Sequence, residues 1–163
     1  MKSLTIVRHA KSSWKYDVID YERPLKERGI NDAKTIAQCL RKKSIHYDKI
    51  LSSDALRARS TAEIFIKNLD LNSELLEFNH KLYDFEGRDL INVIKKCDDK
   101  INNLLLFGHN HAITAFVNSY GSIFIDNIPT SGVVIIEFKI NSWQELKPGN
   151  TLVKLFPKEL NMK

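Results

Sequence analysis

Short apolar runs that alternate with segments of helical periodicity constrain this chain more tightly than any other feature of its sequence. Leu4 to Val7, Lys49 to Leu51, Leu104 to Phe107 and Val133 to Phe138 have the length and aliphatic content of buried strands, and Leu152 to Phe156 is a weaker candidate. Between them, apolar residues recur at helical spacing: Ile30, Ala33, Ala37 and Leu40; Ala58, Ala62, Phe65 and Leu69; Leu90, Ile94, Cys97 and Ile101; Ile113, Phe116, Val117 and Tyr120. Each set shares the one face of a helix that packs inward. Strands separated by helices need crossover connections, which are right-handed and place helices on both faces of the sheet. The expected fold is α/β: a three-layer α/β/α sandwich around a mostly parallel central sheet. With 163 residues and no repeat, low-complexity tract or Pro/Gly/Ser-rich linker, residues 1–163 are expected to form a single domain.

Composition narrows the function classes. At 43% hydrophobic and 28% charged residues, the chain reads as an ordinary globular protein, not a disordered, collagenous or membrane one. Its 25 Lys and Arg against 20 Asp and Glu give a charge of +5, yet the basic residues are dispersed and the longest cluster is Arg41-Lys42-Lys43. A solvated basic surface is expected, with no nucleic-acid partner. Only a few apolar residues precede Arg8 and no segment approaches membrane-spanning length, so a cytoplasmic protein without membrane attachment is expected. Cys39 and Cys97 fall on predicted helix faces, outside any CxxC, and read as buried thiols in a reducing compartment. A monomer is expected.

Open α/β sheets bind ligands at the carboxyl ends of their strands, and three segments at such positions carry unusual chemistry. After the first strand comes Arg8-His9, with Lys11-Ser12-Ser13 as further donors for an anion. After the second comes Ser52-Ser53-Asp54-Ala55-Leu56-Arg57-Ala58-Arg59-Ser60-Thr61-Ala62, whose Ser or Asp would cap a helix. Arg57 lies in that helix's first turn, where a cation opposes the macrodipole unless an anion shares the place. Arg59 reads as a solvated residue. After the third comes Phe107-Gly108-His109-Asn110-His111, in which the glycine permits close approach of backbone to ligand and Asn110 is a plausible local cap. His109 and His111 have no carboxylate or cysteine at metal-ligand spacing, so neither metal nor cofactor is expected. Brought to one sheet edge, Arg8, His9, Arg57 and His109 have the parts to hold a dianionic phosphoryl group and attack it, with neutral imidazole as nucleophile.

These segments resemble the histidine phosphatase superfamily, the fold shared with phosphoglycerate mutases. Its marks are an Arg-His-Gly/Ala turn, a Ser-x-x-x-Arg-Ala-x-x-Thr-Ala helix start and a Gly-His turn, all present here in the family's order. Within that superfamily, Arg8-His9-Ala10-Lys11-Ser12-Ser13-Trp14, Arg23-Pro24-Leu25 with Arg28-Gly29, Leu82-Tyr83 and Gly108-His109-Asn110 are similar to the compact SixA-type phosphohistidine phosphatases. The resemblance, over residues 4 to 138, implies a phosphoglycerate mutase-like fold. It also implies His9 as a transiently phosphorylated nucleophile, Arg8, Arg57 and His109 as the phosphate pocket, and water as the second acceptor. The segment from Arg23 to Gly29 is read as structural, with Pro24 near a helix start and Gly29 for close packing. Trp14 either lines the mouth of the site or packs against its neighbours, and His111 is given no role.

The same resemblance implies where an acid would stand. Family members acting on alkyl or sugar phosphates carry a glutamate, usually after the second-arginine helix. Here that region reads Leu82-Tyr83-Asp84-Phe85-Glu86-Gly87, so Asp84 is the better positional candidate and Asp20 a second, each otherwise a surface carboxylate. The histidine-acid branch has an aspartate after its second histidine, where this chain has Asn110. An alkoxide needs a proton from a positioned acid, whereas imidazole leaves a protonated phosphohistidine neutral. The missing acid, and a chain too short for a lid, point to a phosphohistidine-bearing protein as substrate. The alternatives are a phosphatase of small phosphomonoesters using the same pocket and, from another class, a non-catalytic phosphoprotein-binding module.

Overall fold

The computed structural model describes residues 1–160. Its strands are β1 (Lys2–Arg8), β2 (Lys49–Ser52), β3 (Leu76–Phe78), β4 (Asn103–Gly108), β5 (Val133–Phe138) and β6 (Asn150–Leu155), in one sheet of order β3-β2-β4-β1-β5-β6. The first four in that order run parallel, while β5 is antiparallel to β1 and β6 to β5. Helices α1 (Glu27–Arg41) and α2 (Leu56–Leu69) cover one face; α3 (Arg88–Lys95) and α4 (Ala112–Tyr120) cover the other, and α5 (Pro157–Leu160) follows β6. This is the expected three-layer α/β/α sandwich.

The strand runs are continuously apolar because both faces are buried. Leu4, Ile6, Leu104, Leu106, Val134 and Ile136 point into the α3/α4 core, and Val7, Leu105, Phe107, Val133 and Ile135 into the α1/α2 core. Register then fixes the site. Val7 pairs with Phe107 and Arg8 with Gly108, while Ser52 also pairs with Phe107. The residues that follow β1, β2 and β4 therefore emerge side by side.

The observed elements depart from expectation at particular places. β3, a three-residue edge strand whose Glu77 and Phe78 are exposed, has no apolar run to announce it. α3 ends at Lys95, so Cys97 and Ile101 lie beyond it, although both pack against the same core. There Asp98 accepts from the Lys100 N–H through its side chain and from the Ile101 N–H through its carbonyl, a local turn that competes with helix. Cys39 and Cys97 are half-buried, not buried; burial pushes the Cys97 thiol up to about 11. Gly29, in the first turn of α1, does serve close packing: a Cβ there would stand 2.2 Å from the Lys11 carbonyl oxygen. The Lys26 N–H donates to the same oxygen at 2.9 Å, so α1 is braced against the loop that follows His9.

Candidate active site

His9 follows the last residue of β1 and is fixed on three sides. Its N–H donates to the Gly108 carbonyl at 3.0 Å, and its own carbonyl accepts from the Ser131 N–H at 3.1 Å. The Ala10 N–H donates to Thr61 Oγ1 at 2.9 Å, and that hydroxyl donates onward to the Arg57 carbonyl at 2.7 Å, tying the turn to α2. The imidazole Nδ1 lies 2.7 Å from the Ala10 carbonyl oxygen. A carbonyl can only accept, so Nδ1 carries the proton and Nε2 is left with its lone pair. Arg57 Nε donates to that Nε2 at 3.3 Å. Burial, with the fields of Arg57, Arg8 and Arg23, lowers the His9 pKa to about 3, against the favourable Ala10 contact. His9 is therefore neutral near pH 7.

Arg57 is the second residue of α2 and only 2% exposed. The anion its first-turn position called for is present within the chain. Arg57 Nη2 donates to Asp20 Oδ2 at 2.9 Å, and Nη1 to the Asp20 backbone carbonyl at 2.7 Å. Asp20 Oδ1 accepts from Arg23 Nε at 3.1 Å, and the Tyr83 hydroxyl donates to Oδ2. Burial opposes ionisation of Asp20, but the hydrogen bonds from Tyr83 and Arg57 outweigh it and hold the carboxyl at about 2.

His109, at the end of β4, sits with its ring centroid 5.1 Å from that of His9. Its Nε2 is 2.8 Å from Ser53 Oγ, which also accepts from the Ala55 N–H at 3.2 Å. A Ser53 hydroxyl proton directed to Nε2 would leave the His109 proton on Nδ1. Burial, then the fields of His9 and Arg57, lower the His109 pKa to about 2. Tyr83 and Phe85 pack on this ring at centroid distances of 5.3 and 5.2 Å.

Buried donors without partners gather here. Among the described residues, Arg8 Nε, Arg23 Nη1, His109 Nδ1 and Ser131 Oγ are buried and make no hydrogen bond. Arg8 spends Nη1 on the Ile128 carbonyl at 2.8 Å, and burial together with Arg57 pushes its pKa down. Unsatisfied buried donors are costly, and a group of them with net positive charge is suited to an anion with several oxygens.

Comparison with known proteins supplies the family. Residues 4–104 match the histidine phosphatase superfamily (branch 1). The chain belongs to that superfamily. An uncharacterized protein of Mycobacterium tuberculosis is 29% identical over 153 residues, covering 88% of this chain and 93% of that protein. The fold matches a candidate phosphohistidine phosphatase, SixA, from Agrobacterium tumefaciens, with TM-score 0.79 and 21% identity over 94% of this chain and 97% of that one. It also matches the protein histidine phosphatase SixA complexed with tungstate, with TM-score 0.78 and 19% identity over 97% and 99%.

In this histidine phosphatase fold, Arg8, His9, Arg57 and His109 come together as the sequence implied, but other assignments change. Arg23, read as structural, is buried in the site, its guanidinium 3.5 Å above the Trp14 ring. Trp14 is 76% exposed, an aromatic at the rim. Asp84, between Tyr83 and Phe85, is engaged by backbone: its Oδ1 accepts from the Glu86 N–H and its Oδ2 from the Gly87 and Leu90 N–H groups at the start of α3. Neither serine nor Asp54 supplies a side-chain cap to α2, whose N-cap is Ala55; Ser53 serves His109, and Asp54 pairs with His80 at 3.0 Å. Arg59 is half-buried with its Nε unpartnered, not solvated. Asn110 does cap, accepting from the Thr114 N–H and hydroxyl. Lys11 and His111 are exposed, and Ser12 is buried against Leu25 through an isolated bridge.

Proposed function

We propose that this protein is a phosphatase in which His9 Nε2 takes a phosphoryl group in line, passes it to water, and draws its substrate from phosphohistidine on proteins. The observation that carries the reading is the set of unpartnered buried donors around a histidine whose proton is held on Nδ1, so that the unprotonated Nε2, which accepts from Arg57 Nε at 3.3 Å, is the nucleophilic atom. The Ala10 carbonyl holds the Nδ1 proton as positive charge develops on the ring during attack. Arg8, Arg23, Arg57 and His109 Nδ1–H meet the equatorial oxygens, where charge spreads in the transition state. These fixed cations supply the field, and the mechanism calls for no metal.

Substrate class follows from protonation. Asp20 is held ionised, Asp84 is engaged by backbone N–H groups, and Asn110 stands where the histidine-acid branch has its aspartate, so neither candidate carboxylate offers an alkoxide a proton at neutral pH. A protonated phosphohistidine releases neutral imidazole without one. The rim supports a macromolecular target: Trp14, Tyr16, Val18 and Ile19 are exposed on the segment leading into Asp20, and Phe85 is exposed beside His109. The likeness to a protein histidine phosphatase points the same way. The test compares kcat/KM for a phosphohistidine-carrying protein domain and for sugar phosphates. A preference of at least about a hundredfold for the protein is expected, the scale of rate that a positioned acid contributes; a preference for sugar phosphates overturns the substrate assignment.

A further inference from the structure

Asp20 is an anion built into an anion site. Its carboxylate accepts from Arg57 Nη2, Arg23 Nε and the Tyr83 hydroxyl, and so engages two of the three guanidinium groups of the pocket. The anchoring of Arg57 does not depend on that carboxylate, because Nη1 separately donates to the Asp20 backbone carbonyl at 2.7 Å and Nε to His9. The Asp20 side chain is 42% exposed while that of Arg57 is 2% exposed, so the carboxylate is free to rotate outward from a guanidinium that stays in place. Charge makes the rotation consequential. With His9 and His109 neutral, three guanidinium groups and one carboxylate leave a surplus of two positive charges, matching a phosphoryl dianion. Without Asp20 the surplus would exceed the ligand's charge, and product phosphate would be held more tightly and leave more slowly.

We propose that Asp20 is a resident competitor for phosphate: its carboxylate occupies Arg57 Nη2 in the free enzyme, yields it to the incoming phosphoryl group, and reclaims it as inorganic phosphate departs. The inference rests on the pocket being a phosphate site, and it adds a product-release role to a residue outside the phosphate contacts. Binding of inorganic phosphate to the full-length protein, measured by calorimetry, tests it without need of turnover. Asp20→Asn keeps the size of the side chain and one acceptor while removing the charge, and Asp20→Ala removes the group altogether. In both variants the phosphate Kd should fall at least about tenfold, since one repelling charge close to the dianion is gone. A Kd that is unchanged or higher in either variant overturns the proposal, the second result marking Asp20 as a residue that positions Arg57. Arg57→Ala separates the two levels: phosphate binding that survives this change undiminished refutes the pocket itself, whatever Asp20 does.

Discussion

Gly29→Ala inserts a methyl group where the first turn of α1 rests on the loop after His9. The added Cβ would lie 2.2 Å from the Lys11 carbonyl oxygen, 2.8 Å from its nitrogen and 3.0 Å from its carbonyl carbon. All three are backbone atoms, so no flexible side chain can swing aside, and relief needs a main-chain shift of about 1 Å to reach ordinary packing separation. Helix propensity opposes the damage, since alanine is favoured over glycine by about 0.8–1 kcal/mol in a helix interior. Overpacking costs about 1–3 kcal/mol, and parting α1 from Lys11 also removes the Lys26 N–H bond to that carbonyl, about 0.5–1.5 kcal/mol. The balance is a destabilisation of about 0.5–4 kcal/mol, read as a lower urea midpoint at unchanged m-value. Activity should fall further than stability, because Ala10 is Lys11's neighbour and its carbonyl fixes His9 Nδ1 at 2.7 Å. A displacement on the order of 1 Å there costs about a hundredfold in rate. A variant that is more stable than the wild type by about 1 kcal/mol and fully active would refute the claim that α1 braces the nucleophile.

Three further outcomes follow from the same contacts. Both His9 and His109 have folded pKa values depressed from 6.5, to about 3 and about 2, so the unfolded chain takes up protons that the folded one refuses. Their stabilising contribution is complete above pH 6.5 and is lost as pH falls toward 3, with unfolding free energy declining by at most about 3 kcal/mol per pH unit for the pair; a flat urea midpoint between pH 6.5 and 4 would contradict this. Asp84→Ala removes three bonds to backbone N–H groups, one of them to Leu90 in the first turn of α3, and should lower stability by about 1–2 kcal/mol with kcat/KM near wild type, while a large loss of activity would return Asp84 to the list of acids. Ser53→Ala leaves His109 Nε2 without its partner and should reduce kcat/KM roughly tenfold, corresponding to one buried hydrogen bond; undiminished activity would show that His109 needs no such fixing.

What the sequence disclosed depended on how local the cause was. β1, β4 and β5 were legible because burial on both faces forces a continuous apolar run, whereas β3 was not, since an edge strand exposing Glu77 and Phe78 needs no such run. The overlong expectation for α3 followed the spacing of Cys97 and Ile101, which pack inward from a turn as readily as from a helix. At the site, Arg8, His9, Arg57 and His109 are legible because each ends or directly follows a strand or lies in the first turn of a helix, and parallel topology brings such positions together. Asp20 is legible only as a candidate acid, and the contacts that Asp20, Arg23, Ser53 and Tyr83 make in the site are not legible, because their partners are remote in the chain: Asp20 meets Arg57 across 37 positions and Tyr83 across 63. The one local signal was the acid-to-arginine spacing of Asp20 and Arg23, which form an i,i+3 ion pair. The serines before α2 were misread as caps because a cap and a histidine partner call for the same hydroxyl.

The central claim is that His9 carries the phosphoryl group. Incubation with a protein domain bearing radiolabelled phosphohistidine, followed by rapid quenching under alkaline conditions and peptide mapping, addresses it directly. The account predicts transient label on the peptide containing His9, absent from His9→Ala, together with loss of turnover in that variant. Label at another residue, or undiminished turnover in His9→Ala, would contradict it.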